Sequence, residues 1–204
     1  MRKLIYAVGT SLDGYIARLD GSLDFLHLRP SNYSMGPFFK TIDVGLMGRK
    51  TYEVGVRMSG GKFESHGLRC YIFSRSLPEG ERDGAVFVRE EPKRVVEELR
   101  QKRGKDMWLI GGGEVTREFL KEDLVDELYW GIVPVLVGEG IPMFAAGFPQ
   151  REFTLTESET FSGGLIALKY KRVRGKAAGE AKSTSKGKRK RTRSWLPTSR
   201  PESL

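Results

Sequence analysis

Residues 108–115 read Trp-Leu-Ile-Gly-Gly-Gly-Glu-Val, and this stretch decides how the rest of the chain is interpreted. A short apolar run ends in three glycines, and a helix-like segment, 114–121, follows. Glycine lets a backbone approach a ligand closely, and a helix that starts there directs free N–H groups toward an anion. A tight turn that needs positive φ explains the triplet equally well. The triplet is also not the G-x-G-x-x-G of a Rossmann unit.

A second apolar run, residues 43–47, leads into Gly48, Arg49, Lys50 and Thr51. The glycine opens a turn, the arginine can bind two phosphate oxygens at once, and the threonine hydroxyl lies in the first turn of a helix. The alternative is that the threonine only caps the helix and that the two basic side chains are solvated.

A third apolar run, residues 70–73, leads into Ser74 and Arg75. A hydroxyl beside a guanidinium suits a phosphate monoester such as the 2′-phosphate of NADP, although an exposed arginine at a turn is the simpler interpretation. Ligands of open α/β sheets bind outside the carboxyl ends of parallel strands. The agreement of the three strand ends therefore predicts a single edge that binds a dinucleotide.

Strands alternate with helix-like segments along the chain, which is typical of an α/β fold with a mainly parallel mixed sheet covered on both faces. We predict a sixth strand at 127–137, where Pro134 suggests an edge or a bulge, and a C-terminal antiparallel hairpin from 153–159 and 164–171. Residues 1–172 have a length that suits one domain.

The positive charge of the chain is concentrated at its C-terminal end. Residues 171–204 hold 12 basic and two acidic side chains, whereas residues 1–170 hold 23 basic and 24 acidic ones. The stretch 173–204 has no apolar pattern, and we predict a basic, disordered tail there. Such a tail can bind nucleic acid non-specifically, but a passive solvated extension is the favoured interpretation.

Composition excludes several classes of protein. No apolar run approaches the ~20 residues that span a bilayer, so we expect no membrane association. The single cysteine, Cys70, cannot form an internal disulfide, and two histidines cannot build a His-rich metal site. We therefore expect a cytoplasmic protein without a bound metal.

Taken together, these motifs resemble the dihydrofolate reductase-like superfamily, and specifically its riboflavin-biosynthesis reductase branch, the RibD C-terminal domain. The resemblance covers essentially all of residues 1–172. It is carried by the order and spacing of segments 10–17, 48–52, 74–75, 110–115, 125–128 and 134–140.

The resemblance implies a three-layer α/β/α sandwich, NADPH as hydride donor and a homodimer built on the later strands. It implies that Gly48–Thr51 contact the pyrophosphate together with Gly111, Gly112, Gly113, Glu114, Val115 and Thr116. It further implies that Ser74 and Arg75 contact the 2′-phosphate, and that Val8 and Ile16 lie near the nicotinamide.

Two acidic residues are candidates for polar contact with a substrate. Asp13 follows the first strand and is also our candidate catalytic residue, although an Asp-Gly turn that binds its own backbone is an equal alternative. Glu139 lies between two glycines in a second loop that is expected to face the site.

We therefore expect an NADPH-dependent oxidoreductase that acts on a small heterocycle, either a ribosylaminopyrimidine phosphate of riboflavin biosynthesis or a pterin-like compound. A true dihydrofolate reductase is one alternative, but its substrate-binding carboxylate is absent from residues 33–41. A catalytically weak protein that binds nucleic acid through its tail is the other alternative.

Overall fold

A nine-stranded sheet lies at the centre of the computed structural model, which describes residues 1–27 and 33–175. In chain order, the strands are Leu4–Thr10 (β1), Tyr15–Ala17 (β2), Ile42–Gly48 (β3), Arg69–Phe73 (β4), Gly80–Arg82 (β5), Ala85–Val88 (β6), Asp106–Gly111 (β7), Glu127–Ile132 (β8), Ile141–Pro142 (β9), Phe153–Thr160 (β10) and Ile166–Arg172 (β11). The helices are Gly36–Phe39 (α1), Arg49–Met58 (α2), Pro92–Gln101 (α3) and Gly113–Lys121 (α4).

The main sheet has the order β10-β11-β8-β1-β7-β3-β4-β6-β5. The six central strands, from β8 to β6, run parallel, and β5, β11 and β10 are antiparallel additions at the two sides. The chain runs outward through β3, β4 and β6 and then returns to insert β7 between β1 and β3. A ligand crevice forms where the strand order reverses in this way, at the carboxyl ends of the strands.

Helices cover both faces of the sheet, which confirms the predicted α/β sandwich. Successive residues of β1 point to opposite faces, so Leu4 and Tyr6 pack in the same core as α3 and α4, while Ile5 and Ala7 pack on the opposite face, with Phe38 of α1. Because the parallel strands are buried on both faces, their sequences are nearly continuous apolar runs.

Two predicted strand boundaries are wrong. The sixth strand ends at Ile132 and not at residue 137, because Pro134 has no N–H to donate. Val133 still donates to Thr10 O at 2.9 Å, and then Val135 N bonds Val133 O and turns the chain away. The last strand starts at Ile166, because the glycines before it form a turn with positive φ.

Three short strands, β2, β5 and β9, were not predicted, since two or three residues carry no readable periodicity. The most consequential is the antiparallel pair of β2 and β9, in which Tyr15 pairs with Pro142 and Ala17 with Ile141. The resemblance implies a helix within residues 33–41, and the structure has the short α1 there. The predicted basic tail lies outside the described residues from 176 onward. Within the described part of the chain, no helix has the length and apolarity to cross a bilayer.

Candidate cofactor and substrate site

The three predicted loops lie side by side at one edge of the sheet. In the strand register, Gly111 at the end of β7 is opposite Met47 of β3, and Gly48 at the end of β3 is opposite Phe73 at the end of β4. The strands therefore end nearly level with one another. The glycine turn, the Gly48 loop and the Ser74 turn follow from these ends as immediate neighbours.

The N-termini of two helices meet at this edge. A Cβ placed on Gly48 would lie 3.4 Å from Val115 Cβ, and a Cβ placed on Gly112 would lie 3.5 Å from Thr51 Oγ1. Helices α2 and α4 start at these points, with their caps in extended conformation and without a side-chain hydrogen bond to the cap. The first-turn N–H groups of both helices and their positive dipoles are therefore available to one anion.

Lys50 adds a positive charge to this junction. Its Nζ lies 3.6 Å from Glu114 Oε1, so the first turns of α2 and α4 are also joined by an exposed ion pair. Arg49 is partly exposed and its guanidinium lies 2.5 Å from Glu53 of the same helix. Each of these pairs is solvent-accessible and contributes little stability, so both cations can reorient toward a bound phosphate.

The glycine turn disfavours side chains at Gly111, through its backbone conformation, and at Gly113, through lack of space. Gly111 has φ +112°, and the Gly111–Gly112 peptide bond is cis. A Cβ on Gly113 would lie 2.6 Å from Pro142 O, which is too short for a contact between a carbon and an oxygen atom. Thr116 is fully buried beneath the turn, and its hydroxyl lies 4.0 Å from the Cβ position of Gly111. The sequence therefore brings bare backbone to this surface.

The wall beside the glycine turn is formed by β2 and β9. Ile16 Cδ1 lies 3.8 Å from the Cβ position of Gly112, and both Ile16 and Val8 pack against the core of the α3 and α4 face. Under this wall the buried Tyr6 hydroxyl donates to Met143 O at 3.0 Å, and burial raises the pKa of Tyr6. The predicted neighbours Val8 and Ile16 thus lie on the side of the glycine turn away from Ser74.

The Ser74 turn places a free cation at the edge. The Ser74 hydroxyl is mostly buried and accepts the Leu77 N–H at 3.0 Å, so it stabilises the turn. Arg75 is exposed, and its guanidinium has no hydrogen-bond or ion-pair partner among the residues that the structure describes. The serine is an internal turn residue, whereas the arginine is available to a ligand.

The two acidic candidates are placed in adjoining loops. The Asp13 carboxylate accepts hydrogen bonds from the backbone N–H groups of Val137, at 3.1 and 3.2 Å, and Gly138, at 2.8 Å. Glu139 is exposed in the same loop as its neighbours Val137 and Gly138. The Ser11 hydroxyl and these N–H groups lower the pKa of Asp13, so its carboxylate is ionised at neutral pH.

A cleft of about 560 Å³ opens beside α2 and adjoins the junction of the two helices. It lies between that helix and the loop after β2, and its walls include Leu19, Lys50, Tyr52, Arg57 and Ile141. The volume is in the range of small-molecule sites. Within residues 1–27 and 33–175, no group of three or more His, Cys, Asp or Glu could hold a metal ion.

Sequence reasoning predicts that the loop around Glu139 faces the site, but it missed the contacts that residues 135–143 make there. Pro142 closes on the glycine turn, and the backbone of Val137 and Gly138 binds Asp13. The bonds of Asp13 join residues more than 120 positions apart, and no local pattern encodes them. The two glycines at 138 and 140 are the sequence feature that could have indicated these contacts. Gly138 has φ +83°, and a Cβ on Gly140 would lie 2.4 Å from Ala17 O, so both positions favour glycine.

The structure places two helix N-termini at the switch point of a mainly parallel α/β sheet, where ligands of such sheets commonly bind. The family of the RibD C-terminal domain matches residues 2–167, and the chain belongs to this family. The family domain is the reductase domain of riboflavin biosynthesis, which supports an oxidoreductase.

Relatives in sequence and structure agree with this assignment. The uncharacterized protein YwjB of Bacillus subtilis (strain 168) is 32% identical over 174 residues, which are 84% of this chain and 99% of YwjB. A crystal structure of a protein provisionally assigned to riboflavin biosynthesis, from Shewanella sp. PV-4, is 30% identical with a TM-score of 0.73 and covers 85% of this chain and 100% of that one.

A more distant neighbour is the bifunctional diaminohydroxyphosphoribosylaminopyrimidine deaminase/5-amino-6-(5-phosphoribosylamino)uracil reductase of Thermotoga maritima. It is 15% identical with a TM-score of 0.59, and the alignment covers 84% of this chain and 57% of that protein. At this identity the likeness shows the fold.

Proposed function

We propose that this protein is an NADPH-dependent reductase of a small heterocycle. The observation that carries the proposal is the junction of the α2 and α4 N-termini, where a Cβ placed on Gly112 would lie 3.5 Å from the Thr51 hydroxyl. A pyrophosphate matches this junction because it needs several N–H donors and a favourable dipole within a few ångströms. The first turns of both helices and Lys50 would hold it.

Arg75 is the proposed determinant of the preference for NADPH over NADH. Its unpaired guanidinium lies one strand away from the helix junction, and a guanidinium can bind a phosphate monoester through two N–H groups. Bound NADPH would supply the hydride, and the chain would contribute its orientation through the wall that contains Ile16.

The proposed substrate is a ribosylaminopyrimidine phosphate, with a pterin-like compound as the other member of the class. The family and the reductase activity named for the Thermotoga maritima protein support this choice. The short α1 helix contains no acidic residue, which argues against folate as the substrate. The cleft beside α2 has the volume for such a heterocycle.

Titration of the protein with NADPH and NADH, followed by nicotinamide fluorescence, tests the proposal. We expect NADPH to bind more tightly than NADH. The substitution Arg75→Ala should raise the Kd for NADPH by about tenfold to a hundredfold and leave the Kd for NADH unchanged. Arg103→Ala is the matched control, because it removes an exposed arginine near the opposite end of the sheet. Absence of NADPH binding would overturn the proposal. If Arg75→Ala weakens the binding of NADPH and NADH equally, Arg75 does not determine the preference for NADPH.

NADPH oxidation in the presence of candidate substrates tests the reaction. The panel contains 5-amino-6-(5-phosphoribosylamino)uracil, its diamino precursor and dihydrofolate. We expect oxidation with a ribosylaminopyrimidine phosphate. Rapid oxidation with dihydrofolate alone would favour the alternative of a dihydrofolate reductase.

The homodimer, the cytoplasmic location and a nucleic-acid contact through the tail stay proposals. An open edge at β10 and the 48% exposed side chain of Leu155 support a dimer built on the later strands. The mass in solution tests it, and a monomer would contradict it. Deletion of residues 175–204 tests the tail, since only a tail contact predicts DNA or RNA binding that weakens with salt and disappears on deletion.

A further inference from the structure

Asp13 joins two loops that are distant in sequence. Its Oδ2 accepts the Gly138 N–H at 2.8 Å, and both carboxylate oxygens lie 3.1–3.2 Å from the Val137 N–H. The backbone on either side of Asp13 makes the same connection, because Leu12 N donates to Val135 O at 2.8 Å and Met143 N donates to Gly14 O at 2.9 Å. The carboxylate thus completes a set of bonds between residues 11–17 and 135–143.

These two joined loops form the wall of the proposed cofactor site. Pro142 O is so close to Gly113 that a Cβ would lie 2.6 Å from it, and Ile16 Cδ1 lies 3.8 Å from the Cβ position of Gly112. The wall also has little freedom to slide, because a Cβ on Gly140 would lie 2.4 Å from Ala17 O. Any displacement of residues 135–143 therefore moves the surface that faces the glycine turn.

We propose that Asp13 is a positioning residue, whose carboxylate holds residues 135–143 against residues 11–17 and thereby fixes the wall beside the glycine turn. The part of this inference that concerns cofactor binding rests on the proposed function. Both carboxylate oxygens are engaged by N–H donors, which is the role of an acceptor at a loop junction and not that of a proton donor to a substrate.

Amide hydrogen exchange tests, without any cofactor, whether the Asp13 carboxylate holds the two loops together. We expect Asp13→Ala to increase the exchange rate of the Val137 and Gly138 amides by about tenfold or more, and Asp13→Asn, which keeps one acceptor oxygen, to give an intermediate value. The control is Asp106→Ala, since Asp106 also accepts a backbone N–H, from Lys3 at 2.8 Å, but at the other end of the sheet. Unchanged exchange in Asp13→Ala, with the fold retained by thermal unfolding, would overturn the proposal.

NADPH titration and steady-state kinetics test the functional part. We expect Asp13→Ala to raise the Kd for NADPH by about tenfold, Asp13→Asn to recover most of that loss, and Asp106→Ala to have no effect on it. If Asp13 instead delivers a proton, both variants lose kcat while the Kd and the amide exchange remain at wild-type values, and the proposal is overturned. If wild-type protein binds no NADPH, the proposed function fails, and the exchange experiment still decides the role of Asp13 in the loop junction.

Discussion

Replacement of Gly113 by alanine is the sharpest test of how the glycine turn is packed. Gly113 is the first residue of α4, where alanine is a good helix former, so local propensity does not oppose the change. The opposition comes from Pro142 O, 2.6 Å from the Cβ position, whereas ordinary contact begins at 3.4 Å. The β9 backbone must therefore retreat by roughly 0.8 Å, and a shift of this kind in a packed region costs about 1–3 kcal/mol.

Thermal unfolding and NADPH titration measure the two consequences. A loss near 2 kcal/mol lowers the Tm of a domain of this length by about 4–8 °C. The retreat also opens the wall beside the α4 N-terminus, and we expect the Kd for NADPH to rise at least about tenfold.

Gly55→Ala is the matched control for this experiment. Gly55 lies inside α2, and the nearest atoms to its Cβ position belong to the Phe63 ring at 3.9 Å, so a methyl group fits. We expect it to be neutral or to stabilise the protein by up to about 1 kcal/mol. If Gly113→Ala behaves like Gly55→Ala in both assays, Pro142 does not close on the glycine turn and the reasoning is refuted.

Two further predictions concern the amino ends of the strands, away from the proposed site. Gly104→Ala would place a Cβ 2.5 Å from Asp43 Oδ2 and 2.8 Å from Cζ of the buried Arg2, and these two residues form an ion pair. We expect a loss of about 1–3 kcal/mol in urea unfolding with an unchanged Kd for NADPH, and unchanged stability would contradict it. Burial opposes ionisation of Asp123, but Arg172 and its neighbours outweigh burial and lower the pKa of Asp123. Its stabilising contribution is therefore complete above about pH 4 and is lost as the pH falls through the lowered folded-state value. The stability gap between wild type and Asp123→Asn, which tolerates the positive φ at this position, should shrink as the pH falls from 5 to 2, and a constant gap would contradict it.

The parts of the fold that sequence could predict are those with local signals. The apolar runs at β1, β3, β4, β6 and β7 and the glycine-started α4 are readable because burial on both faces leaves little polar interruption. The predicted strand 127–137 is too long at its C-terminal end. The apolar run continues beyond Pro134 in the sequence, but the chain turns at Val135.

The candidate site divides in the same way. The meeting of Gly48, Thr51 and Gly112 at one edge could be predicted from the sequence, because these residues follow apolar runs and the carboxyl ends of neighbouring parallel strands lie together. The buried hydroxyl of Ser74 and the bonds of Asp13 to residues 137–138 were not readable, because they depend on how distant loops meet. A residue type at a strand end predicts an available chemistry, and tertiary packing decides whether a ligand or the protein itself uses it.

The measurement that tests the central claim most directly is a crystal structure of the protein with NADP⁺. The account predicts the pyrophosphate between the N-termini of α2 and α4, in contact with the backbone of Gly112, and the 2′-phosphate bound by Arg75. A dinucleotide bound elsewhere on the protein, or one whose phosphates do not contact these helix N-termini, would contradict it.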